Sequence, residues 1–119
     1  MLSKATINQV YLAKGSTDLR KSIDGLAAIV QLEFDLDPFS PNLFVFCNRK
    51  RDKLKLLYWD HNGFWLYYRR LEKGVFQWPE ANSSSTPLSI SRRQFNWLLD
   101  GLPIEQRQAH QKISAKFVI

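Results

Sequence analysis

Cysteine is nearly absent from this chain. Cys47 is the only one among 119 residues, so no intrachain disulfide can form and no cysteine-rich zinc site can be assembled. The five glycines, at 15, 25, 63, 74 and 101, make no G-x-G-x-x-G or Walker spacing, which argues against a phosphate-cradling loop and nucleotide hydrolysis. His61 and His110 have no His-x-x-x-His arrangement and no neighbouring cysteine, so no metal site is expected. No apolar run approaches the ~20 residues of a spanning helix, and Met1 to Thr6 lacks the apolar stretch of a signal peptide. The expectation is a cytoplasmic protein without a membrane partner.

A catalytic set is missing as well. Asp18, Asp24 and Asp60 could be assembled into an acidic trio, but Asp18 reads as a helix cap and Asp60 as a turn residue, which accounts for both without chemistry. Cys47 closes an apolar run and reads as a buried, inert thiol. The expectation is a protein that is not an enzyme and uses no cofactor.

What the chain does hold is positive charge, unevenly spread. Its 17 Lys/Arg against 11 Asp/Glu give a net +6. Residues 1–48 carry four basic against five acidic side chains, residues 49–73 eight against three, and residues 74–119 five against three. A basic excess concentrated in one aromatic-rich block points to a polyanion, nucleic acid above all, because contacts to phosphate give affinity without sequence readout. Arg49, Lys50 and Arg51 form a charged tip followed by Lys53 and Lys55 at alternate positions. Arg69 and Arg70 return toward Lys53 if the chain reverses at residues 60–63. Arg92 and Arg93 open a helix where the dipole disfavours cations, a weak hint of an anionic partner.

The periodicity predicts an α+β fold. A short strand covers Ile7–Leu12. A helix of about three turns then follows, capped by Ser16, Thr17 or Asp18, with Ile23, Leu26, Ala27, Val30 and Phe34 in one stripe. Prolines 38 and 41 impose a turn. Residues 43–78 read as an antiparallel meander of about four strands, with the first strand possible at one edge to make five. Its strands are 43–47, 53–59, 64–70 and 75–78, and Asn62-Gly63 supplies a positive-φ turn. Residues 79–87 read as a mobile loop. Ser91 with Gln94 has the form of a capping box, Ile90 and Phe95 of a hydrophobic staple, and Phe95, Leu98, Leu99 and Leu102 form a stripe ended by Gly101 and Pro103. The sheet is thus expected to pack on an N-terminal and a C-terminal helix, as one domain over 1–103. A tail follows over 104–119, with Lys116–Ile119 either fraying or adding an edge strand. Among the aromatics, Trp59, Trp65, Trp78, Trp97, Tyr58, Tyr67 and Tyr68 invite a base-stacking reading. Core packing accounts for most of them, with Trp59 and Trp65 ambiguous.

The strings TDLRKSIDGLA (17–27), DPFS (37–40), LFVFCNRKRDKLKLLYWDHNGFWLYYRRLEKG (43–74), FQWP (76–79) and ISRRQFNWLLDGLP (90–103) resemble the TnpB-type accessory protein encoded by the second reading frame of bacterial insertion sequences of the IS-sixty-six class. The resemblance implies a small protein used in transposition of its own element, beside a separate transposase that carries the acidic catalytic residues. It transfers no site residues, and the unrelated RNA-guided nuclease of the same short name lends it no nuclease activity. Two functions are therefore expected: DNA binding through the basic hairpin, or an adaptor that binds the transposase or another element-encoded protein without touching DNA.

Overall fold

A computed structural model describes residues 7–105. Its elements are β1 (Val10–Leu12), α1 (Ile23–Leu32), β2 (Leu43–Cys47), β3 (Lys53–Asp60), β4 (Gly63–Arg70), β5 (Leu88–Ile90) and α2 (Arg92–Leu99). They build one five-stranded sheet in the order β4-β3-β2-β1-β5. Among the described residues no helix is long and apolar enough to cross a membrane.

The α+β reading holds, but the purely antiparallel sheet does not. β1 lies inside the sheet and pairs parallel to β2, with Val10 opposite Leu43 and Leu12 opposite Val45. Parallel neighbours require a long crossover, and α1 lies within it. The helices therefore do not flank the sheet at the two ends of the chain: α1 is inserted between the first two strands. A strand, a helix and a second strand in succession is the pattern of such a crossover, whereas the hairpins downstream suggested antiparallel pairing throughout.

Alternation along the central strands divides the core in two. Leu43, Val45 and Cys47 of β2 share one face with Leu54, Leu56 and Tyr58 of β3, under Phe95 and Leu98 of α2. Phe44, Phe46 and Leu57 point the other way, onto Leu26 and Val30 of α1. All five residues of β2 are buried, the mark of a strand covered on both faces.

Residues 75–78 are not a strand. Phe76 N–H donates to the Arg51 carbonyl at 2.7 Å, which draws the segment across the α2 face, where Phe76 and Trp78 are buried in the core. Trp78 Nε1 donates to the carbonyls of Ala13 and Gly15, each at 2.9 Å. The alternation of Phe76 and Trp78 therefore reflects an irregular lid with two anchors. The strand that does close the sheet, β5, is only three residues long, beside Pro87, and pairs antiparallel with β1.

Helix ends follow local chemistry. At α2 the capping box is present: Gln94 N–H donates to Ser91 Oγ at 3.0 Å and Ser91 N–H to Gln94 Oε1 at 2.9 Å. Gly101, at φ 81°, turns the chain away, and Leu102 is left exposed beyond the stripe. α1 starts later than expected. Its N-cap is Ser22, which makes no side-chain cap bond, while Asp18, expected as a cap, is bonded to Arg20. Asp35 at φ 56° follows its end, so Phe34 leaves the helix and stacks on Phe46 at 6.3 Å. In the 79–87 stretch, Lys14 Nζ donates to Asn82 Oδ1 and Ser85 Oγ to the Glu33 carbonyl. Ile104 packs against the α2-side core. The Lys116–Ile119 segment lies outside the described residues.

Replacing Phe76 by Ala should cost about 3–5 kcal/mol, because the site leaves a cavity under a fixed strand pair. Val75→Ala next to it, half-exposed, should stay within about 0.5 kcal/mol. Equilibrium urea unfolding of the two variants checks this; equal effects would mean that the 75–78 segment is not anchored by Phe76.

Candidate nucleic-acid interface

The β2–β3 turn is held by one side chain. Asn48 Oδ1 accepts from the N–H groups of Asp52 and Lys53 at 3.1 and 3.0 Å, and its Nδ2 donates to Asp52 Oδ1 at 2.7 Å. That bond, ahead of the nearby lysines, holds the Asp52 carboxyl below its ordinary pKa. Arg51 takes a left-handed conformation, φ 63°, to complete the turn. With the backbone so fixed, Arg49 and Lys50 stand exposed at the tip, while Arg51 leans back toward Glu80, Nη2 to Oε1 3.5 Å.

The β3–β4 hairpin reverses at His61-Asn62, with Asp60 paired to Gly63. The positive φ falls on His61, at 61°, and not on Gly63. Pairing of Leu57 with Leu66 sets this register. The reversal returns β4 to the tip as expected: Lys53 faces Arg70, Leu54 faces Arg69 and Lys55 faces Tyr68.

The expected patch is only partly assembled. Lys53, Lys55 and Arg70 share the α1 face. Arg69, one residue away, points to the α2 face, so Arg69 and Arg70 do not act side by side. Arg92 and Arg93 lie farther still. They follow β5, at the sheet edge opposite β4, and Ile90 pairs with Val10 at the end of the sheet opposite the 48–53 tip. Four strand spacings of about 4.8 Å separate the two edges. There Arg93 covers the Trp97 ring at 5.2 Å.

In their place the fold supplies Arg20 and Lys21. Thr17 N–H donates to the Cys47 carbonyl at 2.7 Å, and Lys55 Nζ to the Lys21 carbonyl at 2.9 Å, so the segment before α1 lies over the tip end of the sheet. The linear charge count could not find them, since they belong to the stretch with no basic excess. Segments 18–21, 48–55 and 69–74 together hold ten Lys/Arg against three Asp/Glu; the remaining described residues hold three against eight. The described domain is thus +7 at one end and −5 elsewhere.

Of three ion pairs within the basic end, two are exposed and the third is half-buried. Arg20 Nη2 meets Asp18 Oδ2 at 2.7 Å, Arg70 Nε meets Glu72 Oε2 at 2.7 Å, and Lys53 Nζ lies 3.7 Å from Asp52. Exposed pairs are weak because water screens them, and they can be exchanged for phosphate contacts. Cys47 is different in kind: burial pushes its thiol up to about 12, so it stays protonated and unreactive.

The chain belongs to the family described as IS66 Orf2 like protein, whose model matches residues 8–109. It is 37% identical over 102 residues to the uncharacterized protein y4hO of Sinorhizobium fredii (strain NBRC 101917 / NGR234), covering 86% of this chain and 87% of that one. It is 32% identical over 94 residues to the uncharacterized protein y4jC of the same strain, covering 79% of each. No solved structure matches significantly.

The hydrogen bonds from Arg20 hold the Asp18 carboxyl at about 2, below its ordinary 3.8. A carboxylate depressed in this way stabilises the fold fully above its unfolded pKa, and that contribution is lost as the pH falls through the folded value. Asp18 should therefore titrate near pH 2 by carboxyl NMR, and Arg20→Gln should move the midpoint up toward 3.8. The variant's stability should then depend less on pH between about 4 and 2. An unmoved midpoint would show that the pair does not form in solution.

Proposed function

We propose that this protein is a non-enzymatic accessory factor of insertion-sequence transposition that binds DNA with the tip end of its sheet. Family membership supports the process. The separation of charge supports the mode, and it is the observation that carries the reading: ten cations from three segments far apart in sequence meet at one end, while the rest of the described surface is acidic. Arg49, Lys50, Lys53, Lys55 and Arg70 would contact phosphates, joined by Arg20 and Lys21. Arg69 would lie on the flank, and Arg51 chiefly shapes the turn.

Phosphate contact of this kind makes affinity fall with salt, with a slope of about 0.9 per contact on duplex DNA. Replacing Arg49, Lys50 and Arg70 together by Gln should lower the slope by about 2.7 in binding titrations against a labelled duplex. Arg92→Gln with Arg93→Gln, at the opposite corner, should leave it unchanged. A slope insensitive to the triple change, or one that responds only to the Arg92 and Arg93 pair, would overturn the assigned surface.

An adaptor role is favoured by one other feature. Phe39, more than half exposed, packs on Trp59 and Phe64 at 4.9 and 5.4 Å, near the 60–63 end of the sheet and away from the cations. An aromatic cluster of that kind suits a protein partner such as the transposase. If it serves one, nuclease-treated co-purification with the transposase should succeed with the wild-type chain and weaken severalfold with Phe39→Ala. Co-purification that persists unchanged in the variant would remove Phe39 from the contact.

A further inference from the structure

The basic end contains an aromatic ring that phosphate binding leaves unused. Tyr68 lies on the α1 face of β4, directly opposite Lys55 and two residues before Arg70. It is 55% exposed. With Asp18, Leu19, Arg20, Lys53 and Lys55 it lines an open groove of about 510 Å³, within the size range of small-ligand sites. Leu19 gives the groove an apolar wall. Arg20, Lys53 and Lys55 surround the ring with positive charge.

The other exposed aromatics are differently placed. Trp65 stacks on Tyr67 at 5.9 Å, and its indole N–H donates to Asp60 at 3.1 Å, so one face and its donor are already engaged. Phe39, Trp59 and Phe64 spend their faces and edges on one another. Among the described residues no ring contact occupies Tyr68.

A solvent-facing ring set among cations fits a ligand that is flat and apolar in one part and anionic in the next. A nucleotide within a DNA strand has that form. Bases in a duplex keep their faces stacked on one another, so only an unpaired base can offer one without first being extruded. We propose that this groove receives one unpaired nucleotide of DNA, its base stacked on Tyr68 and its flanking phosphates held by Arg20, Lys53 and Arg70. The inference rests on the DNA-binding reading and adds to it a preference for single-stranded segments.

The test compares the full chain with Tyr68→Thr, which removes the ring but puts a residue of high strand propensity in its place, and Tyr68→Phe, which keeps the ring. Each is titrated against a single strand of about 15 nucleotides and against the duplex of the same sequence. Tyr68→Thr should bind the single strand more weakly by on the order of tenfold, Tyr68→Phe should stay close to wild type, and duplex affinity should be the same for all three. An unchanged single-strand affinity in Tyr68→Thr, or an equal loss on duplex, would overturn the stacking role. Wild-type binding to duplex but not to single strand leaves the DNA-binding reading standing and removes this one; binding to neither removes both.

Discussion

The central strand β2 has no face that tolerates water, and the rest of the molecule follows from that. Leu43 to Cys47 are five consecutive apolar residues, each buried, and the alternation of a strand sends Phe44 and Phe46 to one side and Leu43, Val45 and Cys47 to the other. One helix cannot cover both. α1 closes the first side as the crossover between β1 and β2. α2 closes the other together with the 71–78 segment, whose Phe76 and Trp78 do the work of a missing helix turn. Two small cores in place of one large one suit a chain of this size, since each aromatic buried fully contributes about 1.5–3 kcal/mol.

Covering both faces also decides where charge can stand. Lysines and arginines cannot lie over the middle of this sheet, so they collect at strand ends, in turns and on the outer edge. Lys53 and Lys55 mark the transition. They occupy the first α1-face positions of β3, before Leu57 enters the core, and Lys55 lays its stem along the sheet to reach a carbonyl at the start of α1. The β2–β3 turn, the end of β4 and the segment before α1 all arrive at this end because of the strand order. The basic surface is thus a by-product of the same topology that buries β2.

Local elements were legible in the sequence where one signal sufficed. β2, β3 and β4 follow from alternation and turns, and α2 from its capping box and staple. The position of β1 was not, because three residues of strand say nothing about their partner and parallel pairing is fixed only by the crossover. Phe76 and Trp78 imitate a strand because burial at alternate positions looks alike whether or not a ladder is present. Gly63 drew the turn one residue late, since the apolar register of Leu57 with Leu66 outweighs the preference of Asn-Gly. For the candidate site, the tip and the return of Arg70 to Lys53 could be read in advance from hairpin geometry. Arg20 and Lys21 could not, nor could the opposite faces of Arg69 and Arg70 be weighed until pairing set which face met α1. Arg92 and Arg93 shared a charge with the site but not a place.

Separation of charge also orients the domain. At physiological salt the Debye length is about 8 Å, so a polyanion senses the charges of the surface it approaches and little of the far side. Approach from the tip end meets a net +7, and approach from the remainder of the described surface meets a net −5, although the whole chain is only moderately basic. Among the described residues the acidic remainder would disfavour a polyanion approaching from anywhere but the tip end. Such a distribution gives a small domain a defined docking direction without base-specific contacts. It also leaves the aromatic cluster around Phe39 at the 60–63 end of the sheet, away from the cationic tip.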